Sequence, residues 1–188
     1  RHFQEGLHRA DSYCFDPHKW MLTNFDCDCM YVADRKALTS ALAVAPEYLK
    51  TGQSEVIEYR NWQIPLGRRF RALKLWFVIR YYGVDGIRAH VRRGVELAKE
   101  FARWVDADTN LELAAPAPLN LVCFRHVAGD DATKKLHRTL NDSGKLYMTH
   151  SKLDGRYVLR FAVGSPQTEM AHVEAAWDVI REAAAALK

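Results

Sequence analysis

Two helical patterns set back to back, parted only by Gly83, constrain the fold of this chain more than any other feature. Over residues 68–82 the apolar side chains of Phe70, Leu73, Trp76, Phe77 and Ile79 cover most of a helical circumference, which predicts burial on nearly every side after the first turn. Gly83 ends that run. Residues 85–107 then carry Ile87, Val91, Val95, Ala98, Ala102 and Val105 at spacings of three and four, with Arg88, Arg92, Lys99 and Arg103 on other faces. That is the pattern of an amphipathic surface helix.

Upstream, residues 10–15 alternate loosely around Tyr13 and Phe15 and break at Asp16-Pro17, because proline cannot continue a ladder and biases its predecessor toward extended backbone. Residues 26–33, with Cys29, Met30, Tyr31 and Val32 between polar flanks, read as a short buried strand, followed by a helical turn over 35–42. Periodicity then lapses from 43 to 64, and Thr51-Gly52-Gln53-Ser54 has loop composition, so residues 44–58 are expected to form a mobile, functional loop. Downstream come strands over 111–115 and 119–127, and a helix over 131–143 ending at Gly144. Strands over 147–151 and 157–163 follow, joined by Asp154-Gly155. A last helix is expected from Ser165-Pro166, with Val173, Ala176, Trp177, Ile180, Ala184 and Leu187 as one apolar stripe. This back half reads as a small α+β unit, an antiparallel sheet covered by helices on one face.

Composition closes off several classes of function. With 48% apolar residues, 27% charged, 10 Gly and 6 Pro in 188 residues, the chain is neither disordered nor collagen-like. A net charge of +4 lacks the basic excess of a nucleic-acid binder, and the arginines of the second helix alternate with Asp85, Glu96 and Glu100 as on a solvated face, so no nucleic-acid partner is expected. No apolar run exceeds the length of 75–79, far short of the roughly 18 residues of a membrane span, so no membrane partner is expected either. Four cysteines make a poor disulfide framework and suggest reduced thiols in a cytoplasm. Cys27-Asp28-Cys29 has no second cysteine or histidine pair, and on a strand both thiols would share one face, so no metal is expected. The chain opens on Arg1 inside patterned sequence, which suggests a piece of a longer polypeptide.

Chemistry concentrates at Asp16-Pro17-His18-Lys19-Trp20. A lysine directly after a strand-ending turn, between Phe15 and Trp20, is expected to be buried, with a depressed pKa and a nucleophilic amine suited to Schiff-base chemistry. The alternative is a solvated loop lysine.

The stretch Ala10-Asp11-Ser12-Tyr13-Cys14-Phe15-Asp16-Pro17-His18-Lys19-Trp20, then Asn24-Phe25-Asp26-Cys27, resembles the cofactor-lysine segment of the group II pyridoxal-phosphate decarboxylases, the aromatic-L-amino-acid decarboxylase family. Pro46-Glu47-Tyr48-Leu49-Lys50, the run Tyr59-Arg60-Asn61-Trp62-Gln63-Ile64-Pro65-Leu66-Gly67-Arg68-Arg69-Phe70-Arg71, and Leu73-Lys74-Leu75-Trp76-Phe77 resemble further blocks of that family in the same order. Looser likeness runs on through Leu121-Val122-Cys123-Phe124-Arg125 and Leu159-Arg160-Phe161 to Trp177, so the resemblance covers essentially the whole chain.

The resemblance implies an α/β fold, the C-terminal part of a fold-type-I enzyme. Residues 1–73 would be the end of the large cofactor domain and 74–188 the small C-terminal domain, within a homodimer that decarboxylates an aromatic L-amino acid. It implies pyridoxal 5'-phosphate held by Lys19 as a Schiff base, with His18 and Asp16 near the cofactor phosphate. An aspartate there has to turn away or meet a cation. It implies that Tyr48, on the mobile loop, reaches the neighbouring subunit's site and returns a proton to the substrate carbon; relatives with phenylalanine at that position tend toward aldehyde formation. Gly67 and Phe25 would line the substrate pocket, although Phe25 also suits a core aromatic, and glycine at 67 points to a bulky aromatic substrate rather than histidine. Arg60 would position the loop or the site. Arg68 and Arg69, cations at the start of a helix whose dipole they oppose, would make structural ion pairs. Histidine decarboxylation, aromatic aldehyde synthesis and a non-catalytic dimerisation role are the alternatives. The family's other cofactor contacts lie upstream of Arg1, so the segment alone is expected to be inactive.

Overall fold

The computed structural model describes residues 2–43 and 57–187, which divide into two compact units, Arg1–Gly83 and Val84–Lys188. In the first, β1 (Ser12–Phe15) pairs antiparallel with β2 (Cys29–Val32), Tyr13 opposite Tyr31 and Phe15 opposite Cys29. Between them lies the single turn α1 (Pro17–Trp20). Its first residue is the proline that ends β1, because a proline's fixed φ suits the first helical position, where the missing N–H costs nothing. The α2 helix (Arg35–Leu42) begins at Asp34, whose Oδ1 accepts the amides of Lys36 at 2.8 Å and Ala37 at 3.1 Å. After a 3-10 turn at Tyr59–Trp62, the helical span α3 (Arg71–Ala107) is broken at Gly83, where φ is 66° and ψ 172°.

The second unit is built on a four-stranded antiparallel sheet in the order β3 (Leu111–Leu113), β4 (Leu121–His126), β6 (Arg156–Ala162), β5 (Thr149–Leu153). The α4 helix (Asp130–Asp142) packs against β4, β6 and α5 (Met170–Ala185). Pairing of Val122 with Phe161 and of Phe124 with Leu159 sets apolar residues on one face of the sheet. Phe101, from the part of α3 after Gly83, stacks on Phe161 at 3.9 Å and meets Phe124 and Trp177 edge-on. Leu136 and Leu140 of α4 and Val173, Ile180 and Ala184 of α5 complete a core with almost no solvent exposure. The β5–β6 turn places Asp154 (φ 50°) and Gly155 (φ 78°) in the left-handed region, the conformation a two-residue hairpin turn requires.

Three expectations are corrected. The apolar residues before Gly83 are not buried: Phe70, Trp76 and Phe77 are 75%, 54% and 58% exposed, and the helix starts at Arg71 rather than at 68. Helical periodicity identifies an apolar surface, but the described residues of this chain do not cover it. Likewise Met30 and Tyr31 of β2 are exposed, because the two-stranded β1–β2 sheet is too small to cover its own faces. The last helix starts at Met170, not at Ser165-Pro166. Ser165 instead closes a turn, accepting the Gln167 amide on its hydroxyl and the Thr168 amide on its carbonyl. The His172 ring then accepts the Glu169 amide and starts the helix.

Candidate active site

The Lys19 turn is held from below by backbone. Buried Pro17 offers its carbonyl to the amides of Met21 (3.1 Å) and Thr23 (3.4 Å), and the Asp16 carbonyl accepts the Lys19 amide at 3.0 Å. Lys19 projects outward with its side chain 71% exposed, its ammonium paired with the Asp16 carboxylate one helical turn back. That carboxylate holds the Lys19 pKa above the ordinary lysine value, and Lys19 in turn lowers that of Asp16. The expected burial and depressed pKa are therefore corrected: the amine is a charged, solvated group, and Asp16 has met its cation.

His18 faces the following loop. Its Nδ1 lies 2.7 Å from the Cys27 carbonyl oxygen and 3.2 Å from the Cys27 amide nitrogen, and the shorter contact assigns Nδ1–H as donor to the carbonyl. The Asp16 carboxylate is 4.0 Å from the same nitrogen. Phe25 meets the imidazole in a T-shaped contact, 4.9 Å between centroids at 79°, and is itself 83% exposed, which removes the core-aromatic reading. Cys27, expected on a strand face beside Cys29, lies before β2 and is buried, while Cys29 within the strand is half-buried, and burial raises its pKa. Among the described residues, no three histidine, cysteine, aspartate or glutamate side chains converge as a metal-binding group.

A cluster sits next to this loop in which Arg69 makes the ion pair expected of it, while its partner Asp26 and the companion Arg71 were missed by the sequence reading. Asp26 accepts two hydrogen bonds from Arg71 on Oδ2, from Nε at 3.0 Å and Nη2 at 2.8 Å, and one from Arg69 Nη2 on Oδ1 at 2.8 Å, with Lys74 Nζ 3.9 Å away. These cations, the Arg71 guanidinium foremost, hold the Asp26 carboxyl at about 2. A signal was present: the first turn of α3 is rich in cations and contains no acid, so a carboxylate had to come from elsewhere.

The remaining candidates make contacts of their own or lie outside the described residues. Arg60 donates to Glu58 at 2.6 Å, and Arg68 donates to Gln63 rather than to a carboxylate. A Cβ on Gly67 would meet nothing within 4 Å among the described residues, so crowding by them does not impose the glycine. Tyr48 lies outside the described residues, as does nearly all of the expected loop 44–58.

The donor set fits pyridoxal phosphate in two respects: Lys19 is a primary amine open to solvent on a fixed turn, and the neighbouring Trp20 buries an indole N–H with no acceptor among the described residues. An aldehyde needs the first and an anionic oxygen can use the second. Asp16 opposes a phosphate only if Lys19 leaves it unpaired.

Comparison with known proteins points to the same cofactor class. The family profile described as "Pyridoxal-dependent decarboxylase conserved domain" matches residues 1–127. Phenylacetaldehyde synthase of Arabidopsis thaliana is 46% identical over 100% of this chain and 40% of its own length; tryptophan decarboxylase TDC1 of Camptotheca acuminata is 45% identical over 98% and 39%. The crystal structure of Oryza sativa TDC with PLP and tryptamine superposes with a TM-score of 0.94 at 42% identity, covering 98% of this chain and 41% of that one. The chain thus spans about 40% of the length of the curated relatives it matches. No helix among the described residues is long and apolar enough to cross a membrane. With two thirds of its length matched by the family profile, and with its lysine-bearing turn inside the matched part, the chain belongs to the pyridoxal-dependent decarboxylase family.

Proposed function

We propose that this chain is the C-terminal part of a cytoplasmic, homodimeric enzyme that decarboxylates an aromatic L-amino acid to the corresponding amine. In this reading 1–73 close the cofactor domain and 74–188 form the small domain. The observation that carries it is the fixed, solvent-open Lys19 turn inside a family match that runs the length of the chain at 45–46% identity to enzymes of aromatic amino acids.

Lys19 would hold pyridoxal phosphate through its ε-amine, with His18 and Asp16 flanking it. Bound there, the group supplies an electron sink for the pair left behind when carbon dioxide departs. To react with an aldehyde, Lys19 has to shed a proton and its pairing with Asp16, so Asp16 tunes when the amine becomes available. Tyr48 would then return a proton to the substrate carbon as a positioned general acid. That step separates the two activities named among the relatives, since a carbon left unprotonated is open to oxygen and to aldehyde formation. Gly67, Phe25 and Arg60 would shape the substrate side, with glycine at 67 leaving room for a large ring.

The test is a product assay on the full-length polypeptide with dopa, tyrosine, tryptophan, phenylalanine and histidine under air. Amine and carbon dioxide from an aromatic substrate, with little peroxide, are expected. In Tyr48→Phe, amine formation should fall by roughly 10²-fold, with aldehyde, ammonia and peroxide appearing. Aldehyde as the main product of the unsubstituted enzyme would overturn the decarboxylase reading, and an unchanged Tyr48→Phe would remove Tyr48 from it.

A further inference from the structure

Asp26 stands between two residues that touch His18. Phe25 meets the imidazole in a T-shaped contact, and the Cys27 carbonyl accepts the proton on Nδ1 at 2.7 Å. His18 in turn precedes Lys19 within the single turn of α1. The carboxylate that fixes this strap belongs to Asp26, and its partners come from 43 and 45 residues further on: Arg69, and Arg71 at the first position of α3. Arg71 grips one carboxylate oxygen through two N–H groups, a geometry that orients as well as attracts. Apart from the bonds of Cys27 to His18, burial holds the strap only at Cys27 among the three, since Phe25 is mostly exposed.

We propose that Asp26, clamped by Arg71 and Arg69, is a positioning residue that holds the 25–27 strap against His18 and thereby fixes the orientation of the Lys19 turn. The proposal rests on Lys19 being the cofactor lysine. It assigns the start of α3 a part in the site without contact with substrate or cofactor. Loosening the clamp lets the strap and His18 move, and the amine then points less often at the aldehyde it must meet.

The test uses the full-length protein and three variants: Asp26→Ala, Arg71→Lys, which keeps the charge but loses the two-point grip, and their combination. In the cofactor-free state, amide hydrogen exchange in a peptide covering 21–28 is expected to speed up in both single variants. After loading, borohydride trapping at Lys19, mapped by mass spectrometry, should slow, and the visible band of the bound cofactor should shift. Each single variant should lower kcat roughly tenfold or more while KM moves far less, as a misplaced reacting group does. The double variant should be no worse than the poorer single one, since both break one device.

A melting temperature that drops in Asp26→Ala with the visible band, the trapping rate and kcat unchanged would make the cluster purely structural and overturn the proposal. So would Arg71→Lys matching the unsubstituted protein while Asp26→Ala fails. Trapping on a lysine other than Lys19 in the unsubstituted protein would overturn the underlying Lys19 reading, and that outcome is recognisable because it appears before any substitution is made.

Discussion

The two units of this chain divide stability and chemistry between them. In Val84–Lys188 a core of aromatic and aliphatic side chains from α3, the sheet, α4 and α5 is sealed almost completely from solvent. In Arg1–Gly83 the buried residues among those described are Pro17, Thr23 and Cys27, and large apolar side chains such as Phe70, Trp76 and Tyr81 stand open. Yet the Lys19 turn, the His18 strap and the Asp26 clamp all belong to the first unit. Burial makes a fold hard to unmake, whereas a reactive amine needs access. The unit that carries the proposed cofactor lysine holds its shape with hydrogen bonds and ion pairs around one turn, and the other holds its shape by packing.

That contrast breaks most visibly at Lys19. Lys19→Ala in the full-length polypeptide should abolish covalent cofactor and its visible band, while thermal melting of the cofactor-free protein barely moves, because an exposed lysine packs against nothing. A residual band trapped by borohydride on another lysine would contradict the assignment.

Leu136→Ala should do the reverse. Removing a fully buried leucine from the second unit should cost about 2–5 kcal/mol by chemical denaturation. Trp76→Ala in the 188-residue chain should cost under about 1 kcal/mol, as for exposed positions generally. If the two losses are equal, the division between units is wrong.

A smaller effect concerns Asp34, whose side chain caps α2. Asp34→Ala should cost about 1 kcal/mol, read as a shift in the denaturation midpoint, with the cofactor band unaltered.

The pH dependence of the Asp26 clamp sharpens the contrast further. Because the folded carboxyl titrates at about 2, below its ordinary 3.8, its stabilising contribution is fully present above the ordinary value and is lost as pH falls from there through the folded value. Melting of the parent and of Asp26→Asn should differ at neutral pH and converge in strong acid. A difference that survives at pH well below the folded value would mean the clamp acts through shape rather than charge.

What could be read in advance follows the distance over which each interaction acts. The β1–α1 turn was legible because Pro17 ends a strand and starts a helix by its own ring geometry, and the β5–β6 hairpin because Asp154-Gly155 tolerates positive φ. The stripe of α5 was legible too, since periodicity reports which residues share a face. Its start was missed because Pro166 imitates a helix opening that the Ser165 turn pre-empts. The pairing of Lys19 with Asp16 lay within reach, three residues apart on one turn, but the flanking aromatics suggested burial that does not occur. The Asp26–Arg71 contact spans 45 residues, and no local pattern names the partner. The exposure of Trp76 was illegible for a related reason: an apolar pattern says that something must cover a surface and is silent about what.

The break at Gly83 has a consequence for chirality. Its backbone, at φ 66° and ψ 172°, lies where L residues are excluded, and a Cβ built there would touch nothing within 4 Å among the described residues. The demand is thus on handedness and not on volume. In a saturation library at this position, intolerance should be flat, alanine faring no better than tryptophan, whereas at a crowded glycine it would rise with side-chain size. In a chain assembled by chemical ligation, the mirror-image amino acid D-alanine should be accepted at 83 where its natural twin is refused.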